Sequence, residues 1–114
     1  EKLNKVAVVP QLEEGAKRAE LTYKVLQKTN ALSLVECNLI TGRSHQIRVQ
    51  MSTIGHAVFG DVKYNGDIAK GWNLALWSYK LCFEHPVTHK IMNFICYPPK
   101  DEMPWKHFNF ATIK

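Results

Sequence analysis

Apolar and polar residues alternate along the segment from residue 20 to residue 27. The apolar positions are Leu21, Tyr23 and Val25. Successive side chains of a strand point to opposite faces, so this period of two predicts a half-buried β-strand, in which β-branched and aromatic residues are favoured. The polar pair Thr29 and Asn30 then predicts a turn.

The next segment, residues 31–40, is apolar on both strand faces. The apolar residues of one parity are Leu32 and Leu34, and those of the other are Val35, Cys37 and Leu39. Apolar residues on both parities are typical of a strand with both faces covered, so we predict a central strand here. The short turn before it predicts that the two segments pair as a hairpin.

A helical period replaces the strand period after a Thr-Gly pair. The apolar residues that recur at helical spacing are Ile47, Met51 and Ile54. They predict a short helix over about residues 45–54, with these three residues forming its buried stripe. Ser44 is the predicted N-cap of this helix, and Gly55 is the predicted C′ residue.

Two more strands are predicted in the last third of the chain. Residues 74–83 form a long apolar-rich segment, a turn follows at His85-Pro86, and residues 91–97 form the returning strand. The tail beyond them carries three aromatic residues, Trp105, Phe108 and Phe110. We interpret these aromatics as a closing hydrophobic latch, with a base-stacking platform as the alternative.

Residues 1–18 show no sustained period and contain Pro10 and Gly15, which predicts a linker or surface excursion outside the core. Residues 19–114 are then expected to form one domain. Hairpin strands with one short helix predict an α+β fold with a largely antiparallel sheet and few helices. The chain begins at Glu1 rather than at a methionine, so we expect a longer protein to continue upstream.

Composition is that of a single soluble domain. The 114 residues are 46% hydrophobic and 22% charged, which is enough for one modest core. The apolar stretches are far shorter than the roughly 20 residues that cross a bilayer, and no signal-peptide pattern opens the chain, so we expect a cytoplasmic protein without a membrane partner. A net charge of +5 and a pI near 9.2 favour a polyanionic partner such as RNA or DNA.

Three cysteines, Cys37, Cys82 and Cys96, form no Cys-x-x-Cys pair. An odd number of cysteines cannot all pair within one chain, so we expect buried free thiols in a reducing compartment. Cys82 also lies close in sequence to His85 and His89, which is superficially a metal-ligand set. A fourth ligand is not evident and the setting resembles a hairpin turn, so no metal site is expected.

The most specific signal is the nine-residue block TGRSHQIRV, residues 41–49. Gly55-His56, Gly60-Asp61 and Tyr64 follow it at short spacings. Together these motifs resemble the last motif block of RluA-like pseudouridine synthases. The resemblance extends upstream over AELTYKVL, residues 19–26, and covers about residues 19–98. Its downstream matches are Leu76, Leu81, Phe83, His85 and Pro86.

This resemblance implies a largely antiparallel sheet crossed by an RNA-binding cleft. The activity it implies is isomerisation of uridine to pseudouridine in structured RNA, such as rRNA or tRNA, without a metal or organic cofactor. Uracil is detached from its ribose, turned and rejoined through carbon. The reaction depends on an aspartate in a His-Arg-Leu-Asp type motif, which does not occur in this sequence. The chain is therefore expected to be the carboxy-terminal part of the catalytic domain, with the missing amino-terminal half as its partner.

The resemblance places Arg48 in the catalytic site, at the family's arginine that pairs with the catalytic aspartate. A buried carboxylate needs a balancing charge, and a guanidinium supplies it through two hydrogen bonds. Because that carboxylate is absent here, we expect a partly buried Arg48 to recruit a substitute such as Asp61, water or an anion. The alternative is an arginine that reaches past an apolar stripe to water.

Four residues are expected to contact RNA from one rim of the cleft: Arg43, His45, Gln46 and Lys63. Polar donors gather at the start of the predicted helix, where unpaired N–H groups favour anions. The alternatives are a solvated turn residue for Arg43 and a role limited to the helix start for His45. Asp61 is expected to cap a turn or to hold Arg43 or Arg48. Tyr64, like Tyr23, does not match the family's active-site tyrosine.

The sequence departs from the family's pattern around these residues. Gln50 replaces a usual histidine, Ala57 a usual proline, and Trp77-Ser78 a usual His-Ala pair. These changes bear on the target RNA and the subfamily. The predicted function is that of an RNA pseudouridine synthase. The alternatives are a non-catalytic RNA-binding module and a basic domain with no RNA role.

Overall fold

The computed structural model describes residues 19–66 and 71–113, and it describes the backbone alone for residues 3–8. The chain divides into two units, Glu1–Leu74 and Ala75–Lys114. The first unit contains strands β1 (Leu3–Val8), β2 (Ala19–Lys28) and β3 (Ser33–Leu39) and helices α1 (Gln46–Thr53) and α2 (Val62–Asn65). The second contains strands β4 (Lys80–Glu84) and β5 (Ile91–Ile95) and the 3₁₀ helices Trp105–His107 and Phe110–Thr112. Antiparallel sheets with few helices confirm the predicted α+β class. No helix within the described ranges has the length and apolarity needed to cross a membrane.

Strand β2 is the middle strand of a three-stranded antiparallel sheet. It pairs with β1 on one side and with β3 on the other, where Tyr23 lies opposite Cys37. The predicted hairpin of β2 and β3 is confirmed. The prediction of a central β3 is wrong for the described residues, in which β3 pairs with β2 alone. Leu34 is its buried residue, whereas Leu39 and the adjoining Ile40 are exposed. Apolar residues on both strand faces therefore leave apolar surface uncovered in this unit.

Strand β1 is absent from the elements that the sequence pattern predicts. Residues 3–8 pair in register with residues 19–24 of β2, so the interpretation of residues 1–18 as a linker is wrong for Leu3–Val8. A strand takes its hydrogen bonds from its neighbour, which can order a segment whose own pattern is irregular. Residues 9–18, the rest of the predicted linker, lie outside the described residues.

Helix α1 forms where it is predicted, with different residues at its start. His45 rather than Ser44 is the N-cap residue, and its backbone is left-handed, with φ 52° and ψ 25°. No side chain caps this end of the helix. The predicted C′ glycine is confirmed, since Gly55 follows the C-cap residue with a φ of 85°.

The buried face of α1 is largely polar. Its buried residues are Gln46, Gln50 and Met51. The predicted stripe is confirmed at Met51 only, because Ile47 and Ile54 are half-buried. Gln46 Nε2 donates a hydrogen bond to the Glu20 carbonyl oxygen (3.0 Å), and Gln50 Nε2 donates one to the Ala19 carbonyl oxygen (3.1 Å). Side-chain amides therefore dock α1 on the main chain of β2, where a hydrophobicity pattern predicts apolar contacts.

The second unit contains the predicted hairpin, with shorter strands. Strand β4 begins at Lys80 rather than at residue 74, and β5 ends at Ile95 rather than at residue 97. In the turn, His85 Nδ1 accepts hydrogen bonds from the backbone N–H groups of Val87 and Thr88, at 3.1 and 3.2 Å. This nitrogen therefore serves the turn. Among the described residues no three His, Cys, Asp or Glu side chains cluster as metal ligands do.

The aromatic tail packs within the second unit. Phe110 is 7% exposed, and its ring centroid lies 6.0 Å from that of Tyr97 and 6.4 Å from that of Trp105. These spacings are those of interacting aromatic pairs. The predicted hydrophobic latch is thus confirmed for Trp105 and Phe110. Phe108 is half-buried.

One face of the β4–β5 hairpin is apolar and exposed. The pairs Leu81–Phe94 and Phe83–Met92 lie side by side across the strands, and side chains alternate between faces, so all four share one face. The rings of Phe83 and Phe94 stack with centroids 5.8 Å apart, yet these residues are 40% and 51% exposed. A contiguous exposed apolar face is the kind of surface that normally contacts another part of a protein.

We expect residues 1–114 alone to bind a hydrophobic dye and to self-associate, because this apolar face stays in contact with water. Dye fluorescence and sedimentation velocity measure the two effects. Phe94→Lys should lower both. Asn93→Lys makes the same charge change on the other face of β5 and should change neither. A monodisperse monomer without dye binding would contradict this expectation.

All three cysteines are free thiols, and the predicted burial is wrong for two of them. Cys82 and Cys96 are exposed, and Cys37 is half-buried. Burial, together with the neighbouring Glu36 carboxylate, raises the pKa of the Cys37 thiol to about 11. Cys37 is therefore a poor nucleophile at neutral pH, because the thiolate is the reactive form.

Candidate active site

Arg48 and Asp61 form a two-point ion pair between α1 and the start of α2. Arg48 Nε donates to Asp61 Oδ2 and Arg48 Nη2 donates to Asp61 Oδ1, both at 2.9 Å. The Asp61 side chain is fully buried, and the Arg48 side chain is 19% exposed. Arg48 is thus partly buried, and its partner is Asp61, one of the three partners that the sequence led us to expect. This fork is the strongest hydrogen-bonding geometry available to an arginine and a carboxylate.

Asp61 is held in place from its own main chain. It is the N-cap residue of α2, where Oδ1 also accepts the Tyr64 N–H at 3.2 Å, so the predicted capping role is confirmed. Gly60 precedes it with a φ of 79°, and a Cβ at Gly60 would clash with the Asn73 carbonyl group. Only glycine tolerates this backbone and this close approach together. The Gly60-Asp61 pair therefore fixes the carboxylate beneath Arg48.

The pair shifts both ionisation equilibria toward the charged forms. The hydrogen bond from Arg48 lowers the pKa of Asp61, against the opposing effect of burial, and the Tyr64 N–H lowers it further. The hydrogen bond to Asp61 raises the pKa of Arg48. A depressed carboxyl pKa stabilises the fold above the unfolded-state pKa, and this contribution is lost as the pH falls through the folded-state pKa. The ion pair is therefore intact at neutral pH.

Three basic side chains surround the ring of Tyr64. Arg48 Cζ lies 5.3 Å from the ring centroid and Lys63 Nζ lies 5.4 Å from it, distances at which cations are attracted to an aromatic face. His45 Nδ1 lies 3.4 Å from the Tyr64 hydroxyl oxygen, and the two rings meet edge to face. The structure thus brings His45, Arg48 and Lys63 together around one tyrosine. His45 and Lys63 are exposed.

Tyr64 lies in this candidate site, and the sequence analysis gave it no role there. Its signal was the spacing from Asp61, since the third residue after an N-cap residue donates its N–H to the cap side chain. That geometry places the Tyr64 backbone beside the Asp61 carboxylate and its ring beside Arg48. The resemblance implied no active-site role for Tyr64, because Tyr64 does not match the family's active-site tyrosine.

Gln46 lies inside the protein, where an RNA strand cannot reach its side chain. It is 5% exposed. Its Oε1 accepts from the Thr41 hydroxyl (2.7 Å) and from the Arg43 N–H (2.9 Å), while its Nε2 donates to the Glu20 carbonyl oxygen. The expectation of an RNA contact at Gln46 is therefore corrected: this amide joins the 41–46 turn to β2. Arg43 itself is exposed at that turn.

Comparison with known proteins shows the family of this chain. The family described as RNA pseudouridylate synthase matches residues 1–53. The chain is 37% identical over 94 residues to ribosomal large subunit pseudouridine synthase D of Zymomonas mobilis, and 36% identical over 104 residues to the dual-specificity RNA pseudouridine synthase RluA of Vibrio cholerae. It is 41% identical over 86 residues to the uncharacterized RNA pseudouridine synthase YlyB of Bacillus subtilis.

These matches cover 75%, 85% and 75% of this chain, respectively. They cover 30%, 42% and 28% of the relatives, so the chain spans less than half of the length of the curated proteins it matches. The family match, over residues 1–53, includes the motif residues 41–49 and with them Arg48. The chain belongs to the RluA-like pseudouridine synthase family.

Proposed function

We propose that residues 1–114 are the carboxy-terminal part of the catalytic domain of an RNA pseudouridine synthase. They supply the arginine side of an active site whose aspartate lies in another segment of the same protein. The observation that carries this proposal is the fork of Arg48 and the buried Asp61, in which Arg48 lies within the residues that the family match covers. It holds the guanidinium of a side chain that is 19% exposed, beside a cluster of basic side chains.

The role proposed for Arg48 is electrostatic. A catalytic aspartate close to Arg48 would be kept ionised and oriented by the guanidinium, as a charge-assisted hydrogen bond does for any carboxylate. The uridine is isomerised by breaking the bond from ribose to the ring nitrogen and forming one to a ring carbon. The hydrogen on that carbon leaves as a proton and the freed ring nitrogen takes up a proton from water, so the product has the same composition as the uridine. None of these steps requires a metal or an organic cofactor from this chain.

The substrate proposed is structured RNA, such as rRNA or tRNA, in the cytoplasm. The chain carries a net charge of +5, and Arg43, His45 and Lys63 are exposed near Arg48 along the chain or in space. Such side chains bind phosphates without reading the base sequence. Exposed free thiols at Cys82 and Cys96 fit a reducing compartment.

The test is the release of tritium from RNA labelled at the uracil carbon that joins ribose in the product. The intact protein that contains residues 1–114 should release tritium to water and form pseudouridine in the same amount. RNA binding without tritium release would instead support the non-catalytic RNA-binding module. If the intact protein neither binds RNA nor releases tritium, the reading that remains is a basic domain with no RNA role.

We expect Arg43→Glu to weaken RNA binding by the intact protein and to flatten its salt dependence. Loss of one phosphate contact should reduce the slope of log affinity against log salt by about 0.7 to 0.9. Binding titrations between low and physiological salt measure this slope. Lys28→Glu makes a similar charge change at the exposed end of β2 and is the matched control. An unchanged slope for Arg43→Glu would mean that Arg43 is only a solvated turn residue.

A further inference from the structure

We propose that Asp61 and Tyr64 are positioning residues, which fix the guanidinium of Arg48 so that its second donor edge faces the reacting groups. This inference rests on the proposed function and names two residues that act through Arg48. Neither residue is expected to touch the substrate. What they determine is the direction in which Arg48 presents its remaining hydrogen-bond donors.

The donors of Arg48 divide into two edges. A guanidinium carries five N–H groups in a rigid plane. Asp61 takes the Nε–H and one Nη2–H, which leaves three N–H groups, and two of these, one on Nη1 and one on Nη2, form the second edge. Because the group is planar, fixing the first edge fixes the direction of the second. The Arg48 side chain as a whole is 19% exposed.

Asp61 is suited to positioning rather than to proton transfer. Its side chain is fully buried, and both oxygens are engaged: Oδ2 by Arg48, and Oδ1 by Arg48 and by the Tyr64 N–H. Its main chain is fixed as well, since its carbonyl oxygen accepts the Asn65 N–H at 2.8 Å. A carboxylate held at this many points cannot follow a moving substrate, but it can hold a neighbour still.

Tyr64 restrains the guanidinium from another direction. Its ring centroid lies 5.3 Å from Arg48 Cζ, and its hydroxyl oxygen lies 3.4 Å from His45 Nδ1. The Tyr64 carbonyl oxygen accepts a hydrogen bond from the Ser52 hydroxyl of α1 at 3.2 Å. Arg48 and Tyr64 are thereby joined both through their side chains and through the α1–α2 contact. An arginine side chain otherwise keeps many rotamers, and such freedom opposes catalysis by a precisely placed group.

An ion pair that only stabilises the fold would give a different result on substitution. It would lower the unfolding midpoint and leave the turnover of the folded enzyme unchanged. A positioning role lowers kcat in enzyme that is fully folded, with little change in KM for RNA. The two roles are therefore separated by kinetics measured below the unfolding temperature.

The experiment compares Asp61→Asn with the unaltered intact protein in the tritium-release assay. Asparagine retains the size and the cap oxygen, but it presents an NH₂ group to one of the Arg48 donors and so breaks the fork. We expect kcat to fall about tenfold or more, with KM for RNA changed less than about twofold. Glu36→Gln removes a carboxylate paired with Lys24 in the same unit (3.8 Å) and is the matched control, with kcat unchanged.

A double-mutant cycle tests whether Asp61 acts through Arg48. In an Arg48→Lys background the fork is already lost, so Asp61→Asn should lower kcat less than about threefold further. If Asp61→Asn does not fold, Tyr64→Leu carries the test, because it removes the ring and leaves the Tyr64 main-chain hydrogen bonds. We expect it to lower kcat about threefold or more at unchanged KM.

The outcomes separate this inference from the proposed function. No tritium release by the unaltered protein, on any uridine-containing RNA, overturns both. The positioning roles alone are overturned if the unaltered protein releases tritium normally and folded Asp61→Asn has an unchanged kcat. If Asp61→Asn does not fold, an unchanged kcat in Tyr64→Leu has the same meaning. A full additional loss of kcat from Asp61→Asn in the Arg48→Lys background would also overturn them, because Asp61 would then act independently of Arg48.

Discussion

Arg48→Lys in the intact protein is expected to lower kcat by about 100-fold while RNA affinity stays nearly constant. Lysine retains the positive charge but has a single ammonium group, so it cannot hold Asp61 at two points and present a second fork at the same time. The electrostatic attraction for RNA is largely kept, and the orientation of the catalytic carboxylate is lost. The effect should therefore appear in turnover rather than in binding.

Single-turnover kinetics with excess enzyme, together with RNA titrations, measure the two quantities separately. Lys28→Arg makes the reverse exchange at an exposed position and should leave both unchanged. Full turnover by Arg48→Lys on the same RNA would show that Arg48 is a surface residue of α1, and that the proposed active-site placement is wrong.

The second large effect is expected from Gln46→Leu, which should lower the free energy of unfolding of the first unit by about 2 kcal/mol. Leucine is close to glutamine in volume but cannot accept the Arg43 N–H or the Thr41 hydroxyl, or donate to the Glu20 carbonyl oxygen. A polar group that loses its partner away from water is costly. The 41–46 turn should therefore separate from β2 more readily.

Urea unfolding monitored by circular dichroism gives the change in midpoint. Asn38→Leu makes a similar exchange at an exposed position of β3 and should change stability by less than about 0.5 kcal/mol. An equal midpoint for Gln46→Leu and the unaltered protein would mean that the buried amide contributes little to the docking of α1.

Local patterns were sufficient to predict several elements of this fold. Alternation identified β2, helical spacing identified α1, and Gly55 was assigned correctly from the preference of glycine for a positive φ after a helix. Asp61 was one of the three partners expected for Arg48, with water and an anion as the others, from the cost of burying an arginine without a partner. These predictions succeeded because neighbouring residues, or one strong electrostatic rule, determine the outcome.

Contacts between distant residues account for what the sequence did not predict. Strand β1 forms by pairing with β2, whereas its own sequence shows no clear alternation of apolar and polar residues. A hydrophobicity pattern predicts that Gln46 and Gln50 face solvent. Their side-chain amides instead donate hydrogen bonds to main-chain carbonyl oxygens of β2. Ser44 has a suitable side chain for an N-cap, but the left-handed backbone of His45 places the helix start one residue later.

Exposed apolar residues show a related effect. The predicted second strand is apolar on both faces, and β4 and β5 also carry many apolar residues. Such patterns are typical of strands that pack against other parts of a protein. In the described residues Leu39, Leu81 and Phe94 are 48%, 56% and 51% exposed. This pattern is explained if the remainder of the proposed enzyme packs on these surfaces.

The most direct test of the account is pseudouridine formation by residues 1–114 alone and by the intact protein, on the same uridine-containing RNA. The account assigns Arg48 to this chain and the reacting aspartate to another segment. It therefore predicts pseudouridine from the intact protein and none above the buffer control from residues 1–114 alone. Turnover by residues 1–114 alone would contradict it, because the chemistry would then lie within this chain.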